Sequence, residues 1–263
     1  MESIRMMKKG IKVKANDPNQ ASWDCLIDQI VLGNVIPVIC PEILMAGDMK
    51  PFVNPHQVLL DTFSEYFELP EPCSSFSELM CDKTFLNSDE IRDVPDNIYS
   101  IVSETLHDNK DAMPPSNLLK DILGIKQFPF VITTSFTSIV EDEMRKIWGD
   151  ELKVIRFDND PQAKHDIAGL EDMRKPTIFY MMGRAGDGAH KFVLTDEDML
   201  DFCASWVADT NNRPSNFVNA LKDKYLLVLG NSYADWLFRF IWYSMRRKSN
   251  GKNNSCYSSD TDN

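Results

Sequence analysis

The sequence lacks any apolar run near the roughly 20 residues that a membrane-spanning helix needs, and no apolar h-region follows its basic start at Lys8, Lys9, Lys12 and Lys14. A spanning protein and a secretory leader are therefore not expected. Positive charge is also short. Against 40 acidic residues stand 28 basic ones, a formal net charge of −12, and a surface of that sign repels nucleic acid and anionic membranes. No two of the six cysteines (Cys25, Cys40, Cys73, Cys81, Cys203, Cys256) form a C-x-x-C pair, which argues against a zinc ribbon. Scattered thiols of this kind suit a reducing cytoplasm. There are only four histidines, no His/Asp/Glu set at metal-ligand spacing, and no internal repeat.

What is present is the pattern of a parallel sheet. Val35–Ile39, Phe128–Thr133, Leu152–Phe157, Thr177–Met182 and Tyr225–Leu229 are short apolar runs, the signature of strands buried on both faces. Between them lie amphipathic segments. Trp23, Leu26, Ile27, Ile30 and Val31 share a face before Gly33-Asn34, and Val58, Leu59, Phe63 and Phe67 share another. Leu118–Ile125, Ser138–Trp148 and Phe217–Leu221 also read as helices. Thr195-Asp196-Glu197-Asp198 combines a cap with first-turn acids before Met199, Phe202, Cys203 and Trp206. The expected fold class is α/β, a Rossmann-like parallel sheet flanked by helices, with a helical insertion near 70–115. Residues 1–16 read as a mobile basic arm, 17–245 as the α/β domain, and 246–263 as a disordered tail or linker. Pro37 sits awkwardly in a strand and suggests a bulge or a sheet edge.

The pivotal stretch is Tyr225–Tyr243. An apolar strand runs into Gly230-Asn231-Ser232, and a helix opens near Ala234-Asp235 with Leu237, Phe238, Phe240 and Ile241 at core spacing. A strand, a small-residue turn and a helix N-terminus bring backbone N–H groups to where a phosphate or ribose can sit. The same pattern also serves as plain packing, so from the residues alone both readings stay open.

Gly230-Asn231-Ser232-Tyr233-Ala234-Asp235-Trp236 with Phe238-Arg239 resembles the L-G-x-S-x-x-D-x-x-x-R segment of sirtuin-like domains, in the branch of bacterial anti-phage defence proteins that hydrolyse NAD and are often joined to TIR modules. Three further segments are similar in the family's order, and each departs from it where chemistry would occur. Cys40-Pro41-Glu42-Ile43-Leu44 stands in the place of a glycine-rich phosphate loop, and no glycine occurs between Asn34 and Ala46. Pro41 removes a donor. A carboxylate about 4 Å from a phosphate costs about 1 kcal/mol in water and about 4 at a protein surface. In Thr133-Thr134-Ser135-Phe136-Thr137, similar to T-T-N-x-D, Ser135 replaces the ribose-holding asparagine and Thr137 the acid. In Tyr180-Met181-Met182-Gly183, similar to K-L-H-G, Met182 occupies the place of the general base and cannot accept a proton.

The resemblance thus implies a candidate cleft made by Cys40, Pro41, Glu42, Thr134, Ser135, Gly230, Asn231, Ser232 and Asp235, with NAD or ADP-ribose as the implied ligand. It implies no intact catalytic set and no metal. The expectation is a pseudoenzyme, a regulatory, nucleotide-sensing or assembly module of a cytoplasmic anti-phage system that self-associates or acts with a TIR-type effector. The alternative is an active NAD glycohydrolase, releasing nicotinamide and ADP-ribose, that places its water with Ser135, Asp48 or His190. His56, His107 and His165 are expected at the surface.

Overall fold

A computed structural model describes residues 18–46, 52–92, 94, 96–157, 166–207, 214–230 and 257–259. The segment 1–16, Asp48, His165 and the stretch from Asn231 to Tyr243, with Ser232, Asp235 and Arg239, lie outside the described residues.

Among the described residues, six strands form one sheet: β1 (Val35–Ile39), β2 (Phe130–Thr133), β3 (Lys153–Arg156), β4 (Thr177–Tyr180), β5 (Tyr225–Leu229) and β6 (Tyr257–Ser259). Their order is β3-β4-β2-β1-β5-β6, and every pairing is parallel. Parallel pairing requires crossovers. Helix α1 (Pro18–Val31) precedes β1, and between the strands lie α2 (Pro55–Tyr66), α3 (Phe76–Leu79), α4 (Lys83–Leu86), α5 (Asn97–Asp108), α6 (Asn117–Leu123), α7 (Ile139–Trp148), α8 (Asp196–Val207) and α9 (Ser215–Leu221). This is the α/β, Rossmann-like architecture expected from the alternation of apolar runs and amphipathic segments. Short helices α3 to α5 fill much of 70–115. Tyr257–Ser259 pairs with the edge of β5, inside the segment read from sequence as a tail; the open edge of β5 supplies backbone partners that no side-chain pattern advertises.

Strand side chains alternate between two cores, as the pleat requires. Val35, Ile39, Val131, Ile178 and Tyr180 enter a core with the apolar faces of α2 to α7. Ile36, Val38, Ile132, Phe179 and Val228 enter a second core beneath α8 and α9. There the rings of Phe179 and Phe217 stack at 3.8 Å and 3°, and Trp206 meets Phe217 edge-on at 6.4 Å.

Pro37 departs from expectation. It lies mid-strand in β1, opposite Leu227, with no bulge in the run of pairs from Val35 to Ile39, and β1 is flanked by both β2 and β5. The β1–β2 register begins at Val38, so the missing N–H at Pro37 falls before that ladder starts and leaves no rung broken.

Candidate functional site at the carboxyl ends of the strands

Because the strands are parallel, the turns after β1, β2, β4 and β5 emerge at one edge. The chain leaves β1 toward β2 but leaves β5 toward β6, so β1 and β5 flank a topological switch point, where open α/β sheets form their crevices. A cleft of about 270 Å³ opens there. Its strand side is made by Cys40, Pro41, Glu42, Thr134, Met181 and Met182. Helix ends close it from above through Asn54, His56, Ser75, Thr195, Asp196 and Met199. The sequence-derived residues Cys40, Pro41, Glu42, Thr134 and Met182 therefore share one cavity although they are spread over three strands.

The turn after β1 is a single 3-10 turn, Pro41–Ile43. The Cys40 N–H donates to the Leu229 carbonyl at 2.9 Å, Pro41 has no N–H, and the Ile43 and Leu44 side chains are buried. Gly230, at the end of β5, takes φ +75°, and a Cβ there would stand 2.9 Å from both Cγ atoms of Ile43. The glycine is thus needed for packing over Ile43, the role that a purely structural reading assigns it. Gly183 after β4 is required more strictly: at φ +73°, an added Cβ would lie 2.0 Å from the Lys191 carbonyl oxygen. This close approach comes from the bridge between Gly183 and Phe192, which folds the 183–195 loop back so that Val193, Leu194 and Thr195 join the cleft wall.

Ser135 and Thr137 are both 1% exposed and face each other rather than an open cavity. The Oγ of Ser135 lies 2.9 Å from Oγ1 of Thr137 and accepts from the Thr137 N–H at 3.2 Å. It also lies 3.0 Å from Nε2 of His56. The His56 ring stacks on Phe136 with centroids 4.0 Å apart and planes 10° from parallel. Burial holds its pKa down, to about 3, so the ring is neutral at physiological pH. A neutral ring accepting the Ser135 hydroxyl at Nε2 satisfies this geometry.

His56 corrects the expectation of a surface residue. It sits at the second position of α2, after the N-cap Asn54, whose side chain accepts the His56 N–H at 2.9 Å. Nothing local signals this, because its partner Ser135 is 79 residues away. His107 is exposed near the end of α5.

His190 is drawn away from the cleft. Its Nδ1 is 3.1 Å from Asp198 Oδ1 and its Nε2 is 3.3 Å from Asp96 Oδ1, and its ring lies against Tyr99. Burial opposes its charge, but hydrogen bonds to Asp198 and Asp96 prevail and raise its pKa. Asp198 is buried and accepts the Tyr99 hydroxyl at 2.8 Å and the Leu194 and Thr195 N–H groups at 3.0 and 2.9 Å. The Asp198 N–H returns a bond to Thr195 Oγ1 at 3.3 Å. This is the capping box expected from Thr195-Asp196-Glu197-Asp198. A carboxylate so well supplied with donors stays ionised despite its burial, and its pKa is lowered.

Among the described residues no Lys or Arg lines the cleft. Glu42 and Asp196, both exposed, are the carboxylates among its described lining residues. Three helix-capping residues, Asn54, Ser75 and Thr195, converge on it, but each occupies donors of its own helix: His56 N–H, Glu78 N–H and Asp198 N–H respectively. Among the described residues no group of three or more His, Cys, Asp or Glu side chains suits a metal ion, and no helix is long and apolar enough to cross a membrane.

The sheet is of the open, Rossmann-like α/β class, in which ligands bind in the crevice at the switch point. Residues 129–262 match the family model of the SIR2-like domain, which spans just over half of the 263 residues, and the chain belongs to that family. No curated protein matches it. The family match begins at β2, so β1 and the Cys40–Leu44 turn precede it, yet β1 pairs with both β2 and β5 and completes the same sheet. Family membership supports an NAD-related, sirtuin-type function.

Proposed function

We propose that this SIR2-like chain is a catalytically degenerate domain, which neither cleaves NAD nor binds the dinucleotide tightly, and which acts as a regulatory, sensing or assembly module. The observation that carries this reading is the turn after β1. Where a pyrophosphate would need open backbone and free N–H donors, the chain has Cys40 bonded to Leu229, Pro41 without a donor, and Ile43 wedged under Gly230. Met182 lines the cleft where the family resemblance puts a general base, and a thioether cannot take up a proton there. Ser135 is buried against His56 and Thr137, and His190 is held by Asp96 and Asp198. Neither is placed to orient a water in the cleft.

The resemblance to defence-associated domains extends the proposal: the module serves a bacterial anti-phage system, associating with itself or with a TIR-type effector. The His56–Ser135 contact favours a second reading, in which a neutral imidazole assists a slow NAD glycohydrolase. Incubation of the full chain with excess NAD, with nicotinamide followed over hours, separates the two. The degenerate reading expects release at the uncatalysed rate. Turnover that disappears in both Ser135→Ala and His56→Gln would establish the second reading and refute the first.

A further inference from the structure

We infer that His190 is a proton-operated clasp between the helical insertion and the 183–195 loop, closed while its ring carries a charge and open when the ring is neutral. The clasp lies where two walls of the cleft are joined. The insertion contributes Ser75, Phe76 and Ser77 to that cavity, and the loop contributes Val193, Leu194 and Thr195. Several bonds tie the insertion to the loop and to the start of α8. Ser77 Oγ accepts the Asp196 N–H at 2.7 Å, and Ser103 Oγ accepts the Gly186 N–H at 3.0 Å. The Tyr99 hydroxyl donates to Asp198 at 2.8 Å, and His190 Nε2 lies 3.3 Å from Asp96 Oδ1. Of these ties the last is the one that a proton near neutral pH controls. Tyr99 keeps its proton, because burial and the Asp198 carboxylate raise its pKa.

Two carboxylates claim one ring. Nδ1 stands 3.1 Å from Asp198 Oδ1 while Nε2 faces Asp96. A charged imidazole donates from both nitrogens, whereas a neutral one donates from one and presents a lone pair at the other. The geometry is therefore complete for the protonated ring alone. Asp198 is buried and Asp96 is exposed. On deprotonation the remaining N–H stays with Asp198, where an unpaired group costs more, and Nε2 turns a lone pair toward the Asp96 carboxylate. Asp96 holds the N-cap position of α5 without a side-chain cap bond, so its own helix does not compete for that carboxylate. The charged and titratable groups facing the ring are Asp96 and Tyr99 from the α5 side and Asp198 from α8; Lys191 follows it in the loop. His190 also keeps a left-handed backbone, φ +54°, a conformation that costs a non-glycine residue energy and that opening the clasp lets relax.

This inference goes beyond the degenerate reading and needs neither NAD binding nor turnover. NAD cleavage by the chain would overturn that reading and leave the clasp to its own test. The test follows amide hydrogen exchange of the full chain from about pH 6 to about pH 9, a span that brackets histidine titration, corrected for the intrinsic rate, beside an NMR titration of the His190 ring. Protection of residues 184–190 and 97–103 is expected to fall about two- to fivefold as the ring loses its proton, the range that one partly exposed ion pair supplies. Amides of β2 should not change. Asp96→Asn leaves an amide that accepts from the charged ring and donates to the neutral one, so the step should vanish and the ring's midpoint should move down. His190→Gln should remove the step as well. Because Asp96 is exposed, its variant serves even where a change at His190 disturbs the loop. Exchange in the wild type that ignores the ring's titration, an equal step in Asp96→Asn, or a ring midpoint unmoved by that substitution would each overturn the proposal.

Discussion

Lowering the pH from 6.5 to 4.5 should unfold this protein more readily through one residue, His56. An unfolded chain protonates histidine near 6.5, whereas the folded ring, buried against Phe136 and Ser135, holds to about 3. Above 6.5 the ring is neutral in both states and its full contribution to stability is present. As the pH falls below 6.5 the unfolded state binds a proton that the native state refuses, so stability is lost as the solution acidifies. Each full pH unit is worth about 1.4 kcal/mol, and because the unfolded histidine is already half protonated at 6.5 the two units cost about 2.3 kcal/mol. This value is an upper bound, because the residue keeps part of its surface in solvent. The window is chosen to avoid the carboxylates. Asp172, held down to about 2, and Asp198, lowered as well, lose their contributions at lower pH. His190 acts with the opposite sign: its raised pKa gives stability fully present below 6.5. The assay is urea denaturation of wild type and His56→Gln across this range, where the amide of glutamine keeps a polar partner for Ser135. The difference between the two curves isolates the ring. A difference that stays flat from pH 6.5 to 4.5 would refute the burial of a neutral imidazole at this position.

Three other perturbations follow from the same contacts. Gly183→Ala forces a Cβ to within 2.0 Å of a backbone oxygen at φ +73°; positive φ alone costs about 1–2 kcal/mol and the overlap about 1–3 more, so equilibrium unfolding should show a loss of several kcal/mol or no folded protein. Tyr99→Phe removes a hydroxyl that donates to buried Asp198, a charge-assisted bond worth about 1.5–3 kcal/mol, and the shortfall should appear in the denaturation midpoint. Raising the pH through the elevated pKa of His190 withdraws its charge from between Asp96 and Asp198; stability should decline across that step in the wild type and not in His190→Gln, and an equal decline in both would remove His190 as its source.

Legibility from sequence was uneven for physical reasons. The central strands were readable because they are buried on both faces and so read as short apolar runs, as in Val35–Ile39; Tyr225–Leu229 is apolar as well, although alternate side chains there are only half-buried. The capping box at Thr195 was readable because its partners lie three residues apart. Residues around the cleft were half readable. Cys40, Pro41, Glu42, Thr134 and Met182 follow strands, and strand ends can be counted, so the structure sets them in one cavity. His56 comes from the start of a helix in the long β1–β2 crossover, and its meeting with Ser135 is a tertiary fact with no sequence periodicity behind it. Pro37 misled because a lost N–H matters only where a ladder requires it, and the β1–β2 register begins one residue later. The strand at Tyr257–Ser259 was hidden because its pairing with β5 uses backbone groups that every residue carries.

The central claim is that the turn after β1 leaves no seat for a pyrophosphate. Titrating ADP-ribose into the full chain by calorimetry tests it most directly, since this ligand carries both phosphates and needs no catalysis to bind. No saturable heat up to millimolar ligand is the expected result. Saturable binding at micromolar concentration, abolished by a bulky substitution at Cys40, would contradict it.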